Sequence, residues 1–372
     1  MNRKNAVVDL LKFYFACMIV LFHGSQNLGA GIKTFTSARI AVEFFFLVSG
    51  YLMAASARRY SDRLAEGGTN VWRLTGDYLR HKLARLTPNV FIAWFVAAAV
   101  VIGAEQYHGY ELLKKLTSGF FEFTLIKTAG YSDIFAPNGV TWYLSAMLLS
   151  MALLFPFLVA KRECFLRWFA PLAAIFLYGY LNVAWSNGLA GSAEWSGITT
   201  KGIYRALAAL CLGCTCFALG ERLRTLEPRP ACRVLASLIG VLCFVWVSYV
   251  AWAKKNSNYD YVLVVITALM ITVSFSGIGF SGRLSGLAPV SRVSSFLGEL
   301  SMNLFLSNGY WCHYLPHYLP GFEGKRLFAA YLAVCLINAL ILMLVSRLLK
   351  KAWPALSVRL RRFVGAGDER ST

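Results

Sequence analysis

Long apolar stretches, separated by short polar segments, run along most of the chain. A helix needs about 20 mostly apolar residues to cross the roughly 30 Å of hydrocarbon in a bilayer. The stretches that meet this need cover approximately residues 6–28, 37–56, 87–104, 140–160, 165–182, 202–220, 234–253, 259–280, 294–314 and 328–349. They predict an all-α fold, a polytopic membrane bundle of about ten transmembrane helices.

The segment 110–127 interrupts this pattern. It is shorter than the predicted spans, and Lys114, Lys115 and Glu122 divide its apolar residues. Charged residues at the middle of a membrane are costly, whereas an amphipathic segment lies readily in the interface between water and hydrocarbon. We therefore expect an interfacial or re-entrant piece here rather than a span.

The composition agrees with a membrane protein and excludes several other classes. Of the 372 residues, 58% are hydrophobic and 15% are charged, whereas a soluble domain has about 45–50% apolar and about 25% charged residues. A chain this apolar cannot bury its side chains in one or two soluble cores. A disordered protein, a small disulfide scaffold and a conventional cytosolic enzyme are therefore excluded.

The net charge of +19 indicates either nucleic-acid binding or a membrane topology. With a cytosolic N-terminus, twenty-five of the 37 Lys and Arg residues fall on the cytosolic side. Eleven fall in outer loops, Lys201 and Arg205 among them, and Lys12 lies within the first span. This excess predicts that both termini are cytosolic, with a basic tail over residues 353–372. Because topology accounts for most of the charge, we expect no nucleic-acid partner.

The first span contains three ionisable residues, Asp9, Lys12 and His23. Lys12 and His23 are eleven residues apart, which brings a helix to within about 20° of the same face and advances it about 16 Å. These residues therefore form one stripe along the helix, with charges near the inner headgroups and an imidazole near the middle of the bilayer. Such residues usually mark function. The alternative is that Lys12 reaches the interface beside Asp9 while His23 caps a carbonyl.

Glu43 in the second span lies at a depth similar to that of His23. It is fifteen residues from Arg58, which places it about 22 Å from the cytosolic boundary. Because a short loop makes the first two spans antiparallel neighbours, we expect that His23 and Glu43 can meet and that the carboxylate orients the imidazole. A buried ion pair without chemistry is the alternative. Ser49 and Gly50 predict close helix packing or close approach of a ligand to the backbone.

A basic cluster follows the second span. Arg80, Lys82 and Arg85 come just before Pro88, a residue that suits the first turns of a new helix. Basic side chains near the start of a helix can bind a polyanion such as a nucleotide phosphate. The alternative is simple anchoring of a cytosolic loop.

Three cysteines in the sixth span, Cys211, Cys214 and Cys216, have a spacing that metal sites share. No second cluster and no nearby histidine in the sequence completes such a site. We therefore expect a packing face of small residues, and no metal.

Several of these residues form recognisable motifs. Lys12 and His23 form a basic-x10-His motif, in which Lys stands where Arg is usual. Glu43 begins a motif in which an acidic residue precedes aromatic residues and the Ser-Gly pair that ends at Gly50. The same order of motifs is similar to that of the acyltransferase-3 family of bacterial membrane acyltransferases.

Further motifs extend the resemblance over nearly the whole chain. Lys82 and Arg85 match a pair of Arg residues spaced Arg-x-x-Arg before a proline, and Trp142 with Tyr143 matches an aromatic motif of a middle span. The resemblance is most specific over residues 7–90.

Near the end of the chain, the sequence departs from the family pattern. The segment SMNLFLSNGY resembles a Ser-Tyr-x-x-Tyr-Leu-x-His motif, but Met302, Phe305 and Asn308 replace its Tyr, Tyr and His. His313, five residues further on, is a candidate to take over the role of the missing histidine.

The resemblance implies an enzyme that moves an acyl group, most often acetyl, from cytosolic acyl-CoA to a hydroxyl of a cell-surface polysaccharide or its lipid-linked precursor. It implies a multi-pass protein of the bacterial inner membrane with residues 1–352 as the acyltransferase domain. Acetyl-CoA, the carbohydrate and membrane lipids would be its partners. The implied roles are His23 and Glu43 as catalytic residues, Lys12, Arg80, Lys82 and Arg85 as acyl-CoA-binding residues, and Trp142, Tyr143, Ser49 and Asn308 as substrate-binding residues.

A different class of function stays open at this point. Asp9, Lys12, His23 and Glu43 also suit a proton or substrate relay in a secondary transporter or a flippase of a lipid-linked sugar. Such a protein predicts inverted-repeat symmetry, and the sequence shows none.

Overall fold

Helices make up almost the whole fold. The computed structural model describes residues 5–29, 31–32, 34–131, 133–225, 229–253 and 259–368, with the side chains of all of these except Arg283 and residues 353–368. The predicted basic tail, residues 353–372, thus lies outside the described side chains. The helices are α1 (Ala6–Asn27), α2 (Arg39–Ala65), α3 (Val71–Glu105), α4 (Gly109–Ser118), α5 (Phe120–Phe123), α6 (Trp142–Ala160), α7 (Arg162–Cys164), α8 (Ala170–Ala184), α9 (Lys201–Thr225), α10 (Pro230–Ala253), α11 (Asp260–Ser276), α12 (Phe280–Gly286), α13 (Ala288–Tyr318) and α14 (Gly324–Asp368), and the strands are β1 (Trp195–Ser196) and β2 (Thr199–Thr200).

The remaining regular elements are short. Strands β1 and β2 form an antiparallel hairpin in which Trp195 pairs with Thr200. Two 3₁₀ turns lie before α6, at Lys127–Ala129 and Gly139–Thr141. A π turn, Phe165–Phe169, joins α7 to α8.

The predicted bundle of membrane helices is confirmed. Within the described residues, eight helical segments are long and apolar enough to cross a membrane, and α11 with α12, joined at a bend of 52°, is a ninth candidate. All ten predicted spans coincide with helices. The span predicted over 294–314 lies in α13, which is less apolar because Ser301, Asn303, Ser307 and Asn308 interrupt it. These side chains are buried in protein, where Asn308 contacts α1 and Asn303 contacts α3.

Helix α13 packs along the whole of α1, and the two run parallel. At one end, a Cβ added at Gly298 would lie 2.9 Å from the side chain of Asp9, so a larger residue there would force Asp9 to move. At the other end, Asn308 contacts His23. Residue numbers therefore increase in the same direction along the two helices. Their interface extends from one end of the bundle to the other.

Helices α2 and α9 approach each other closely at glycines, as the Ser49-Gly50 motif predicts. A Cβ added at Gly50 would overlap the carbonyl oxygen of Leu210, and one added at Gly213 would overlap that of Leu47. Small residues let two backbones pack without an intervening side chain, which is how helices gain dispersion energy inside a membrane. Cys214 belongs to the same face, and its thiol donates to the carbonyl of Gly50 at 3.5 Å.

Helix α3 begins much earlier than the pattern predicts. The side chain of Asn70 caps it by accepting a hydrogen bond from the Arg73 N–H at 2.8 Å, and Pro88 lies in its interior rather than in its first turn. Its 35 residues span about 52 Å, so one end extends well beyond the hydrocarbon. The first half therefore carries the basic cluster on a rigid helix instead of a loop.

Residues 109–141 form a compact segment beside the bundle. Its helices have 10 and 4 residues, which confirms that this part of the chain is too short to span a membrane. The segment is held by Glu122, whose carboxylate is fully buried. It accepts hydrogen bonds from the Thr141 hydroxyl at 2.7 Å, the Lys127 ammonium at 3.1 Å and the Asn138 N–H at 3.1 Å.

Candidate active site

A cavity of about 990 Å³ lies between α1, α3, α13 and the segment that precedes α6. Its wall combines apolar and aromatic surface with a few hydrogen-bonding groups, as small-molecule sites generally do. The polar and aromatic residues that line it include His23, Gln26, Asn27, Tyr107, Lys115, Trp142 and His313.

The imidazole of His23 is held at the wall of this cavity by Asn308. The distance from His23 Nδ1 to Asn308 Oδ1 is 2.6 Å. The amide nitrogen of Asn308 donates to the Phe305 carbonyl at 2.5 Å, so the amide oxygen faces the ring as an acceptor. Nδ1 must then carry a proton, which leaves Nε2 as the basic nitrogen of the neutral ring. His23 lies four residues before the end of α1, nearer to that end than the predicted mid-span position.

The opposite end of α1 carries a group of cations. Lys12 forms an ion pair with Asp9, 2.9 Å between Nζ and Oδ1. Lys82 of α3 lies close enough to Lys12 and Arg85 for the three positive charges to interact, and its ammonium is 5.4 Å from the ring centroid of Tyr78. In the described part of the chain, neither Lys82 nor Arg85 has a carboxylate within ion-pair distance.

Arg80 does not join this group. It precedes Lys82 by two residues, which turns it about 160° away around the helix. The structure therefore brings together three of the four residues predicted to bind acyl-CoA, Lys12, Lys82 and Arg85.

The predicted contact between His23 and Glu43 is wrong. Both carboxylate oxygens of Glu43 point to other helices, one accepting from Arg205 Nε of α9 at 2.8 Å and the other from the Tyr178 hydroxyl of α8 at 2.8 Å. Arg205 is itself buried rather than part of an outer loop, and so is Lys201. The rotation of α2 turns the Glu43 carboxylate toward α8 and α9 and away from α1.

The comparison with known protein families decides the class of the molecule. The model of an acyltransferase family, described as an acyltransferase domain, matches residues 5–348. The chain belongs to this family. No curated protein and no solved structure matches the chain significantly. Together with the spanning helices, the family establishes a multi-pass membrane acyltransferase.

The four predicted substrate-binding residues of this acyltransferase occupy three different environments. Trp142 lines the cavity. Asn308 lies behind the wall, where it contacts His23. Tyr143 and Ser49 contact each other, 3.3 Å between their hydroxyl oxygens, and Tyr143 is buried among core aromatic residues. The geometry thus keeps Trp142 as a candidate for substrate contact, gives Asn308 a different task and places Tyr143 and Ser49 in the core.

Several cavity residues of the acyltransferase belong to none of the predicted sequence motifs. Lys115 reaches the cavity from α4, with its ammonium 5.1 Å from the ring centroid of Tyr107. Gln26 and Asn27 follow His23 within one helical turn, and this polar end of an apolar span is a signal that the sequence did contain. His313 also lines the cavity, but the hydrogen-bond partner of His23 is Asn308 and not His313.

Proposed function

We propose that this acyltransferase moves an acyl group, most simply acetyl, from cytosolic acyl-CoA to a hydroxyl of a cell-surface polysaccharide or its lipid-linked precursor, with His23 as general base. The observation that carries the proposal is the oriented imidazole of His23 at the wall of a 990 Å³ cavity. The cation group lies about 16 Å away along the same helix. We place the protein in the bacterial inner membrane, with the cation group and both termini on the cytosolic side.

The cation group suits the phosphates of coenzyme A. Among the ion pairs of the described residues, only Lys12 of these three cations has a carboxylate partner, Asp9. Three neighbouring positive charges repel one another, and a polyanion relieves this repulsion while forming charge-assisted hydrogen bonds. The acyl end of the donor then extends along α1 toward His23.

The transfer needs one proton acceptor at the cavity. Nε2 of His23 accepts the proton of the carbohydrate hydroxyl as the oxygen attacks the thioester carbonyl. A new carbon–oxygen bond forms, the carbon–sulfur bond breaks, and the coenzyme A thiolate takes the proton back from the imidazolium. The Asn308 oxygen keeps Nδ1 protonated throughout, so the same nitrogen, Nε2, acts as base and then as acid.

The test is acyl transfer by purified His23→Ala protein. A positioned general base contributes about 10²–10⁴-fold to a rate, so we expect a loss of this size with unchanged membrane insertion. His317→Ala is the matched control, because His317 lies one helical turn beyond His313 on α13 but does not line the cavity. Full activity of His23→Ala would refute the mechanism, and ion-coupled flux without an acyl donor would favour the transporter alternative.

A further inference from the structure

A buried ion pair that the proposed reaction does not use lies behind the cavity wall. Glu43 and Arg205 are almost fully buried, and their Oε1 and Nε atoms are 2.8 Å apart. Removing two charges from water is costly, so a buried pair contributes little net stability compared with apolar side chains of similar size. Its presence calls for another role.

The pair is held rigidly from several sides. The second oxygen of Glu43 accepts from Tyr178 at 2.8 Å, and Arg205 Nη1 donates to the carbonyl of Gly191 at 2.9 Å. Two fixed hydrogen bonds leave the guanidinium plane little freedom to turn. The third nitrogen, Nη2, has no hydrogen-bond partner among the described residues. The orientation of the guanidinium plane is therefore set by its hydrogen bonds to Glu43 and Gly191.

The group that Arg205 faces is Trp142. The guanidinium carbon is 5.2 Å from the centroid of the Trp142 ring, within the range of a cation–π interaction. One turn earlier on α9, a Cβ added at Gly202 would lie 3.3 Å from the same ring, and Phe46 of α2 meets it edge-on at 6.1 Å. Helices α2 and α9 thus hold a tryptophan that also lines the cavity with His23.

We propose that Arg205, aligned by Glu43, is a positioning residue that holds the Trp142 indole as the platform on which the carbohydrate acceptor rests. This inference rests on the proposed function. The C–H groups of a sugar ring pack against an aromatic face, and the platform sets the distance of the acceptor hydroxyl from His23. Glu43 therefore acts on the acceptor through Arg205 and Trp142, and not on the imidazole.

The experiment measures acetyl transfer from acetyl-CoA to surface polysaccharide purified from cells that lack this protein. We expect Arg205→Lys, which keeps the charge but loses the planar fork, to raise the KM for the polysaccharide about tenfold. The KM for acetyl-CoA should stay unchanged. Arg39→Lys is the matched control, because the partly buried Arg39 forms an ion pair with the buried Asp260, 2.7 Å apart, and neither residue lines the cavity.

A second variant separates positioning from simple stability. In a Trp142→Ala background, Arg205→Lys should have no additional effect on the KM for the polysaccharide, because the platform is already gone. Effects that multiply in the double variant would overturn the inference, as would a wild-type polysaccharide KM in Arg205→Lys. If the wild-type protein transfers no acetyl group at all, the proposed function fails and the inference fails with it. If the wild-type protein is active, the inference is tested separately.

Discussion

Replacing Asn308 tests the geometry of the proposed base more directly than removing His23 itself. The hydrogen bond between His23 Nδ1 and Asn308 Oδ1, at 2.6 Å, is short for a nitrogen–oxygen pair. It fixes both the ring orientation and the nitrogen that carries the proton. Asn308→Ala removes this partner and leaves His23 in place.

The expected loss follows from the strength of that one bond. A neutral hydrogen bond contributes about 0.5–1.5 kcal/mol net, which corresponds to a fall of about 2- to 13-fold in kcat. The loss is smaller than that expected for His23→Ala, because the imidazole is still present and adopts the productive orientation for part of the time. KM values for acyl-CoA and carbohydrate should change little, since Asn308 does not line the cavity.

The assay is steady-state acetyl transfer by purified Asn308→Ala protein, repeated in a His23→Ala background. The effect of Asn308→Ala should disappear in that background, since its partner is gone. Ser307→Ala is the matched control, because Ser307 is an equally buried polar neighbour that bonds the Asn303 carbonyl of its own helix at 2.7 Å. An unchanged kcat in Asn308→Ala, or an equal loss with and without His23, would refute the orientation of the imidazole.

Three further predictions concern the donor end and the packing of the bundle. Lys82→Met should raise the KM for acetyl-CoA about 10- to 150-fold with little change in kcat, since a charge-assisted hydrogen bond contributes about 1.5–3 kcal/mol; steady-state kinetics measures this. Gly50→Ala should lower the thermal stability in detergent, because overpacking costs about 1–3 kcal/mol and the new Cβ overlaps a carbonyl of α9. Glu122→Ala should lower the free energy of unfolding by about 3–5 kcal/mol, because Lys127 and Asn138 lose a buried partner.

Matched variants make these three results specific. Arg80→Met removes a cation from the other side of α3 and should leave the KM for acetyl-CoA nearly unchanged. Gly76→Ala places a Cβ where no atom lies within 4 Å and should leave the unfolding temperature unchanged or higher. Glu163→Ala breaks an exposed ion pair and should cost about 0–1 kcal/mol. Equal effects in a variant and its control would contradict the assigned contact.

The pattern of apolar residues predicted the helices well because the bilayer itself sets their length. It failed at α3, where no apolar signal marks the half of the helix that lies outside the hydrocarbon. The cap at Asn70 is a local hydrogen bond, and the sequence offered Pro88 as a more obvious boundary. The assignment of charges to the two sides of the membrane placed Arg205 in an outer loop, although the predicted span 202–220 includes it, because the sequence does not show that Glu43 pairs with it.

The contents of the site could be predicted in part. The helical repeat placed Lys12 and His23 on one stripe, and both remain candidates. The partner of His23 could not be found this way, because depth in the membrane follows from residue number while the rotation of each helix follows from packing. Glu43 and Asn308 both lie in spans that neighbour α1, and only the close fit of α1 against α13 decides that Asn308 meets the imidazole.

The direction of α13 also decides how the bent pair α11 and α12 crosses the membrane. Because α13 runs parallel to α1, an odd number of crossings must lie between them. Within the described residues, six unbroken spanning segments lie between the two, those of α2, α3, α6, α7 with α8, α9 and α10, and six is an even number. The bent pair must therefore supply the seventh crossing. Helix α14 then returns antiparallel to α13, with Arg347 bonded to Glu299 at 2.6 Å, and brings Lys350 to Asn89 of α3 at 3.2 Å. Both the start of α1 and this end of α14 lie beside the cation group, as a chain with both termini on one side requires.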